Sequence, residues 1–373
     1  MNKQTKLWAG YFLGNAGLLM IYLLPQMVGV VTEQFDLSQM QSGFFASTDL
    51  IGSAIASISS FFWIRKANWK TMAWLGLGIM IIGNLLSMVA GNFGLLAFMR
   101  IFTGLGQGIA VALTLVIVGD SESTDRNFAI YLILTLLFGA AAVELLPALF
   151  SPMEGIQIYG AQIAMCLLAI PFIIKWMPKE AVLADEIISD KGLSIVSILC
   201  LLGVLVLYIG YGGLWALTER IGVANGFSSD YIANVLSVSL LISIPALLVP
   251  IVMGVKFGRA IPITVACIGL VLYSVLIYYG QNSTLFFLAV AAGSFGVNMI
   301  IPYMTGILAD EDTTGKGVVM VMPMYAIGFA LGPSVLSVFS TGEGFLSMAI
   351  AATIMFVLVF IIYLWVLAKN KNG

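Results

Sequence analysis

Uninterrupted apolar runs repeat along the whole chain, and they constrain the fold more than any other feature. A membrane-spanning helix needs about 20 apolar residues. Segments of this kind occupy 7–31, 40–63, 71–91, 94–118, 127–150, 156–175, 193–218, 230–254, 260–280, 284–309, 317–340 and 345–368. Transmembrane β-barrels instead alternate apolar and polar residues over about 10 positions. The sequence therefore predicts an all-α integral membrane protein with twelve spans.

The composition excludes several classes of function. Hydrophobic residues make up 61% of the chain and charged residues only 9%, and the net charge of −2 offers nucleic acid no basic surface. The chain has no histidine, no metal-ligand spacing, no nucleophile motif and no GxxxxGK[ST] phosphate-binding loop. The first apolar run is too long for a signal-peptide core, so we expect it to be a span. We predict neither an enzyme nor a cofactor or metal site.

The basic residues indicate the orientation in the membrane. If the N-terminus is cytoplasmic, all of the 16 lysines and arginines except Arg100 and Arg220 fall on the cytoplasmic side. Cytoplasmic loops are enriched in lysine and arginine. We therefore expect both termini in the cytoplasm and a location in a bacterial inner membrane.

The chain divides into two similar halves. We predict a first bundle at 1–175, a cytoplasmic linker at 176–192 and a second bundle at 193–373. Under a shift of 190 residues, Asp120 falls on Asp310 and Lys66 falls on Lys256. Repeated six-helix halves are typical of secondary transporters, whose substrate sites lie between the repeats near the bilayer midplane.

Four short stretches carry a resemblance to a known family. RIFTGLGQG at 100–108 resembles the span 4 motif of the major facilitator superfamily. VKFGR at 255–259 and IRKAN at 64–68 resemble its loop signatures, although both lack the usual aspartate. GFALGP at 328–333 resembles a span 5 exporter stretch, yet it lies in span 11. The chain thus resembles this superfamily over nearly its whole length, with two pseudo-symmetric six-helix bundles.

The resemblance implies transport by alternating access around a central site. It also implies cytoplasmic gate loops, with the residues Arg65, Lys66, Lys256, Gly258 and Arg259. Because the loop aspartates are missing, an equal alternative is that these basic residues only bind anionic lipid headgroups.

Three ionisable residues lie inside spans of the first half. A charge at the bilayer centre costs at least about 2.5–3.5 kcal/mol, so Asp49, Arg100 and Glu144 should be paired or protonated. Their estimated depths allow Arg100 to pair with either acid, and the sequence does not choose between them. The acid left over suits proton coupling, whereas a fixed structural pair is the alternative for Arg100. Gly104 and Gly108 form a GxxxG face that we expect to pack against another helix.

Further residues are candidates for binding a substrate. They are polar or aromatic residues in the spans that the resemblance places around the cavity: Asn15, Tyr22, Gln26, Tyr208, Tyr211, Trp215, Glu219, Arg220, Asn298, Tyr303 and Tyr325. Ligand sites are mainly apolar with a few placed polar groups. The set therefore suits a small organic solute, although tyrosines also populate membrane interfaces.

The sequence favours a monomeric, proton-coupled uptake transporter of a small organic molecule in the lipid bilayer. The missing exporter motif in span 5 favours uptake. A proton-coupled efflux antiporter of the same fold is the alternative, and a non-transporting membrane sensor is the alternative of another class. Substrate, direction and the choice between protons and sodium stay open at this level.

Overall fold

The structure is a computed structural model that describes residues 3–121, 123–179, 193–254, 256, 258–279, 281–312, 316–340 and 345–371. Within these ranges the chain forms α-helices and no strand. The helices are α1 (Lys3–Phe35), α2 (Gln39–Trp63), α3 (Trp69–Met88), α4 (Phe93–Gly119), α5 (Thr124–Leu149), α6 (Gly155–Trp176), α7 (Ile195–Ala224), α8 (Ser229–Met253), α9 (Ala260–Tyr279), α10 (Ser283–Glu311), α11 (Lys316–Val338) and α12 (Leu346–Lys371).

Each of the twelve helices contains a segment long and apolar enough to cross a membrane. The predicted all-α membrane fold is confirmed. The largest difference from the predicted limits is in α7, which continues to Ala224 although the predicted span ends at 218. Apolar residues resume at Ile221 after one acidic and one basic residue, so the helix keeps its apolar surface beyond them.

The chain forms two compact units. Unit 1 comprises Met1–Leu37 and Phe45–Asp185, and unit 2 comprises Ser38–Phe44 and Glu186–Gly373. The division between Asp185 and Glu186 falls in the predicted linker 176–192, of which 180–192 lies outside the described residues.

The two units are built from equivalent helix pairs. In unit 1, α1 packs against α4, α5 and α6, and α3 packs against α4 and α6. In unit 2, α7 packs against α10, α11 and α12, and α9 packs against α10 and α12. Each pair in the first unit recurs six helices later, which agrees with the sequence repeat.

Candidate functional site

A buried ion pair joins α2 to α4 in unit 1. Arg100 donates through Nε to Asp49 Oδ2 and through Nη2 to Asp49 Oδ1, each at 2.8 Å. Both side chains are at most 2% exposed. Two parallel bonds match the planar guanidinium to the carboxylate and make a stronger pair than a single contact. Of the two acids that the sequence left open, Asp49 rather than Glu144 receives these bonds.

Amide side chains extend the ion pair into a network. Arg100 Nη1 donates to Asn84 Oδ1 at 2.8 Å, and Gln107 Nε2 donates to Asp49 Oδ1 at 3.1 Å. Asn84 Nδ2 donates to Gln162 Oε1 on α6 at 2.8 Å. The three amide residues are at most 1% exposed. Polar partners of this kind are what allow a charge pair to remain inside a low-dielectric core.

An aromatic ring contributes to the surroundings of the arginine. The Tyr159 ring on α6 lies 5.0 Å from Arg100 Cζ, measured to the ring centroid. This is within the range of a cation–π contact. A Cβ at Gly155, one turn earlier, would lie 3.0 Å from the Tyr159 ring, so the glycine leaves room for the ring. The guanidinium is therefore enclosed by a carboxylate, an amide and an aromatic face.

Gly104 and Gly108 lie where α4 crosses α2. A Cβ at Gly104 would lie 2.1 Å from the carbonyl oxygen of Asp49, and one at Gly108 would lie 2.2 Å from that of Ser53. Gly52 on α2 faces the same crossing, since its Cβ would lie 3.0 Å from Gly104 Cα. Glycine permits such close helix approach in membranes. The close crossing lets the short Asp49 side chain reach Arg100.

Glu144 lies on α5 as a half-buried residue, with one buried carboxylate oxygen. The preceding residue, Val143, accepts a hydrogen bond from Gln26 Nε2 on α1 at 2.8 Å. Glu144 therefore lies beside a contact between α1 and α5. Asp49, and not Glu144, neutralises Arg100.

The predicted residues Asn15, Tyr22 and Gln26 share one face of α1, within about 40° at 3.6 residues per turn. Asn15 donates to the backbone carbonyl one turn earlier at 2.7 Å. The amide oxygens Asn15 Oδ1 and Gln26 Oε1 are buried, and no described residue donates a hydrogen bond to them. The Tyr22 ring packs on α5, where a Cβ at Gly139 would lie 2.6 Å from it. Because buried acceptors are normally satisfied, this face offers two acceptors to water or a ligand.

Aromatic side chains form a row along α7 in unit 2. The Tyr211 and Trp215 rings stack with centroids 6.2 Å apart and an interplanar angle of 16°. Tyr208 meets Tyr325 on α11 edge-on at 4.2 Å. Phe329, one turn further along α11, lies 6.2 Å from Tyr211. The structure brings four of the predicted substrate residues into one aromatic group.

Glu219 and Arg220 lie within α7, which continues to Ala224 beyond the predicted end of the span at 218. Glu219 is 7% exposed and Arg220 is half-buried. On the same turn, the Thr218 hydroxyl lies 2.6 Å from the Tyr273 hydroxyl on α9, which fixes this part of α7. Glu219 is therefore a carboxylate buried within the protein.

The predicted residues of α10 make separate contacts. Asn298 Nδ2 donates to the carbonyl of Ser294 in its own helix at 2.9 Å. The Tyr303 hydroxyl donates to the carbonyl of Gly254 at the end of α8, at 3.2 Å. Neither contact involves the aromatic group of α7, and a substrate role for these two residues stays a prediction.

The described residues of the predicted gate loops are mostly exposed, and Arg259 forms an ion pair. Arg65, Lys66 and Lys256 are exposed, while Gly258 has a φ of 68°, a left-handed conformation that favours glycine. Arg259 Nη1 bonds to Asp310 Oδ2 at the end of α10. Positions 255 and 257 of the VKFGR stretch lie outside the described residues.

Both units place an ion pair on the same repeat aspartate. Lys6 Nζ donates to Asp120 Oδ2 at 2.6 Å in unit 1, and Arg259 bonds to Asp310 in unit 2. The two aspartates are 190 positions apart (310 − 120), whereas their basic partners come from non-equivalent positions. Both halves of the repeat therefore have an aspartate at this position, Asp120 or Asp310. In unit 1 it is neutralised by Lys6, and in unit 2 by Arg259.

Uncharged residues occupy the described positions of unit 2 that correspond to the buried ion pair of unit 1. The 190-residue shift places Ser239 at the position of Asp49 and Val290 at that of Arg100. Ser274 corresponds to Asn84 (84 + 190), and its hydroxyl lies 2.8 Å from Thr353 Oγ1 on α12. A polar contact therefore joins α3 to α6 in unit 1 and α9 to α12 in unit 2. The buried ion pair lies in unit 1.

Six residues that complete these two groups are not among the candidates that the sequence suggests. They are Asn84, Gln107, Tyr159 and Gln162 around the ion pair, and Tyr273 and Phe329 beside the aromatic row. Three amide side chains inside apolar spans were the available signal, because a buried amide needs partners. Tyr273 and Phe329 are common core residue types, and nothing in the sequence distinguishes them.

Comparison with known proteins agrees with this architecture. The family model described as "Sugar (and other) transporter" matches residues 5–125, which cover α1 from its third residue, all of α2 to α4 and the start of α5. The fold is similar to that of a mutant of the nucleoside transporter NupG, with a TM-score of 0.76, 12% identity and coverage of 98% of this chain and 99% of that chain. No curated protein sequence matches.

Other solved structures share the fold at similarly low identity. A bacterial homologue of human drug peptide transporters has a TM-score of 0.75 and 12% identity, with 100% of this chain and 99% of that chain covered. A D-xylose–proton symporter has a TM-score of 0.70 and 12% identity, with 96% of each chain covered. The predicted resemblance to major facilitator superfamily transporters is confirmed at the level of the fold.

Proposed function

We propose that this protein is a secondary active transporter that moves a small organic solute across a bacterial cytoplasmic membrane by alternating access. The matching family is one of transporters rather than enzymes. Both termini are proposed to be cytoplasmic because of the distribution of lysine and arginine. The transporter works as a monomer, driven by the proton gradient, in the direction of uptake.

The observation that carries the coupling proposal is the double hydrogen bond between Arg100 and Asp49. Protonating Asp49 would leave the Arg100 charge uncompensated inside the membrane, which is strongly unfavourable. Asp49 therefore remains ionised and holds α2 to α4. The proton is bound instead by Glu144, which is half-buried beside the contact between α1 and α5.

Proton coupling has support from relatives of the same fold. One is a D-xylose–proton symporter, and another structure concerns proton-dependent oligopeptide transporters. Because the substrates of these proteins differ, the shared fold supports proton coupling but does not determine the solute. The solute depends on the side chains of the binding site.

Proteoliposomes test this function directly. Purified protein is reconstituted and offered radiolabelled D-xylose, uridine, a dipeptide and choline, with and without an imposed pH gradient. We expect one of these classes to accumulate against its gradient, and a protonophore to abolish the accumulation. Glu144→Gln should stop accumulation but retain exchange of labelled for unlabelled solute, because exchange needs no net proton movement. Glu33→Gln on the exposed end of α1 is the control.

The outcomes separate the alternatives. Proton-driven loss of solute from preloaded vesicles would establish the efflux antiporter. Accumulation that follows a sodium gradient and ignores the pH gradient would establish sodium coupling. If Glu144→Gln accumulates solute as the wild type does, Glu144 is not the coupling acid. If vesicles move none of the four classes while ligands still bind, the sensor alternative replaces transport.

A further inference from the structure

Lysine side chains from two helices meet at one end of unit 1. Lys70 lies in the first turn of α3, and its Nζ donates to the backbone carbonyl of Ile174, near the end of α6, at 2.7 Å. In a continuing helix this carbonyl would accept from the residue four positions later, which here is Pro178 and has no N–H. Lys70 supplies the missing donor, so its ammonium group is fixed against the last turn of α6.

Two more lysines lie at the end of α6 and just beyond it. The backbone N–H of Trp69 donates to the carbonyl of Lys179 at 2.9 Å, which holds the chain after α6 against the start of α3. Lys175 Nζ lies 5.1 Å from the centroid of the Trp176 ring, within the range of a cation–π contact. Lys175 and Lys179 are exposed. We call Lys70, Lys175 and Lys179 the α3–α6 lysine cluster.

The α3–α6 lysine cluster carries three positive charges. Among the residues that the structure describes, no carboxylate forms an ion pair with any of the three ammonium groups, and Asp120 at the end of α4 bonds to Lys6 instead. The linker acids from Glu180 onward lie outside the described residues. An ammonium group has three donors, and Lys70 uses one of them on α6. The cluster therefore offers both charge and hydrogen-bond donors to an anion.

The cluster lies at a membrane boundary, and exposed apolar surface adjoins it. Lys70 is the second residue of the candidate span in α3, and Lys175 is the next-to-last residue of the one in α6. Trp74, one turn into α3 from Lys70, is 39% exposed, and Ile174 is 57% exposed. Tryptophan is enriched at the headgroup level of a bilayer. The arrangement matches a ligand with an anionic head and apolar chains.

We propose that the α3–α6 lysine cluster binds the phosphate of an anionic phospholipid, whose acyl chains lie along the exposed apolar surface of α3 and α6. Lysines close to a membrane surface attract anionic lipids. A zwitterionic lipid gains less, because its own ammonium group is repelled by the cluster. A soluble phosphate gains from the charge but not from the apolar surface. The assignment goes beyond the proposed transport function and needs only the membrane fold.

The equivalent end of unit 2 provides a natural comparison. The 190-residue shift places Ala260, Trp365 and Lys369 at the positions of the three lysines. Lys369 Nζ lies 5.4 Å from the centroid of the Trp365 ring, so a contact between lysine and tryptophan is present here as well. One lysine thus occupies these three positions in unit 2. Lys369 is exposed and serves as the matched control for the cluster.

Native mass spectrometry of the full-length protein in detergent measures lipid binding without any transport assay. The wild type is titrated with phosphatidylglycerol or with phosphatidylcholine that has the same acyl chains, and the Kd of the first bound lipid is compared. We expect phosphatidylglycerol to bind about tenfold more tightly or better, because three lysines act on its phosphate.

Variants locate the binding. The double variant Lys175→Gln/Lys179→Gln removes two charges and leaves the bond from Lys70 to α6 in place. Each lysine contributes about fivefold in affinity for an anionic lipid, so this variant should bind phosphatidylglycerol roughly 20-fold more weakly. Lys175→Arg/Lys179→Arg keeps the charges and should retain most of the affinity. Lys369→Gln should leave the Kd of the first bound lipid unchanged. Unfolding temperatures without added lipid show whether each variant is folded.

Three results would overturn the assignment. Equal Kd values of the two lipids for the wild type would show that the protein does not select negative charge. An unchanged Kd in the double glutamine variant would place the lipid elsewhere. Displacement of phosphatidylglycerol by glycerol 3-phosphate at similar concentration would assign the cluster to a soluble phosphate. Failure of the transport proposal appears differently, as loss of accumulation in proteoliposomes while lipid selectivity is intact.

Discussion

Arg100 on α4 and Asp49 on α2 form two hydrogen bonds of 2.8 Å, and neither side chain is more than 2% exposed. The pair joins two helices at the point where Gly104 and Gly52 let them cross closely. Helix packing and charge neutralisation therefore depend on each other in unit 1.

Asp49→Asn should strongly destabilise the protein. The substitution leaves the Arg100 guanidinium buried without its counter-charge, and breaking a buried pair in this way costs about 3–5 kcal/mol. Thermal unfolding in detergent measures the effect. Asp310→Asn is the control, because Asp310 is 62% exposed and surface pairs contribute only about 0–1 kcal/mol. Equal losses of stability in the two variants would contradict a structural role for the buried pair.

Gly104→Ala should destabilise unit 1 although alanine favours helices. The new methyl would lie 2.1 Å from the Asp49 carbonyl oxygen, so α2 must move away from α4. Overpacking of this kind costs about 1–3 kcal/mol, and it also lengthens the bonds from Arg100. Gly78→Ala on α3 has no atom within 4 Å of the new methyl and should be neutral or slightly stabilising. A Gly104→Ala protein as stable as Gly78→Ala would show that the helices are not closely packed.

Asn84→Leu should cost more stability than Ser274→Ala at the equivalent repeat position. Asn84 accepts a hydrogen bond from the charged Arg100, and bonds to charged groups contribute about 1.5–3 kcal/mol. Ser274 bonds to the neutral hydroxyl of Thr353, which is worth about 1 kcal/mol. Unfolding temperatures of the two variants give the comparison. The same loss in both would indicate that the charge adds nothing to the polar link.

The three buried cysteines should report on each unit separately. Cys166 lies on α6 in unit 1, whereas Cys200 and Cys267 lie on α7 and α9 in unit 2. A maleimide should label none of them at low temperature, because all three are at most 3% exposed. On heating Asp49→Asn, Cys166 should react before the other two, since the weakened ion pair lies in unit 1. Peptide mass spectrometry identifies the labelled thiol, and simultaneous labelling would mean that both units unfold together.

The number of helices and the all-α membrane fold could both be predicted from the sequence. Span length and apolar content are local properties, and the bilayer requires each span to bond its own backbone. The repeat was visible for a similar reason, because Asp120 and Asp310 keep their places relative to the helix ends. Gly104 and Gly108 were recognised as packing residues from their spacing alone.

Only the tertiary structure decided which groups meet. Asp49 and Glu144 were equal partners for Arg100 in sequence, since both lie at a similar depth as the arginine. Asp49 pairs with Arg100 because of the rotation of α2 and α4 about their axes and the closeness of their crossing. The composition of an apolar membrane helix does not show which of its sides faces a neighbouring helix. The same holds for Asn84, Gln107 and Gln162, whose amides join the ion pair because three helices turn them towards one point. Glu219 is likewise buried in α7, which continues to Ala224 beyond the span predicted from the sequence.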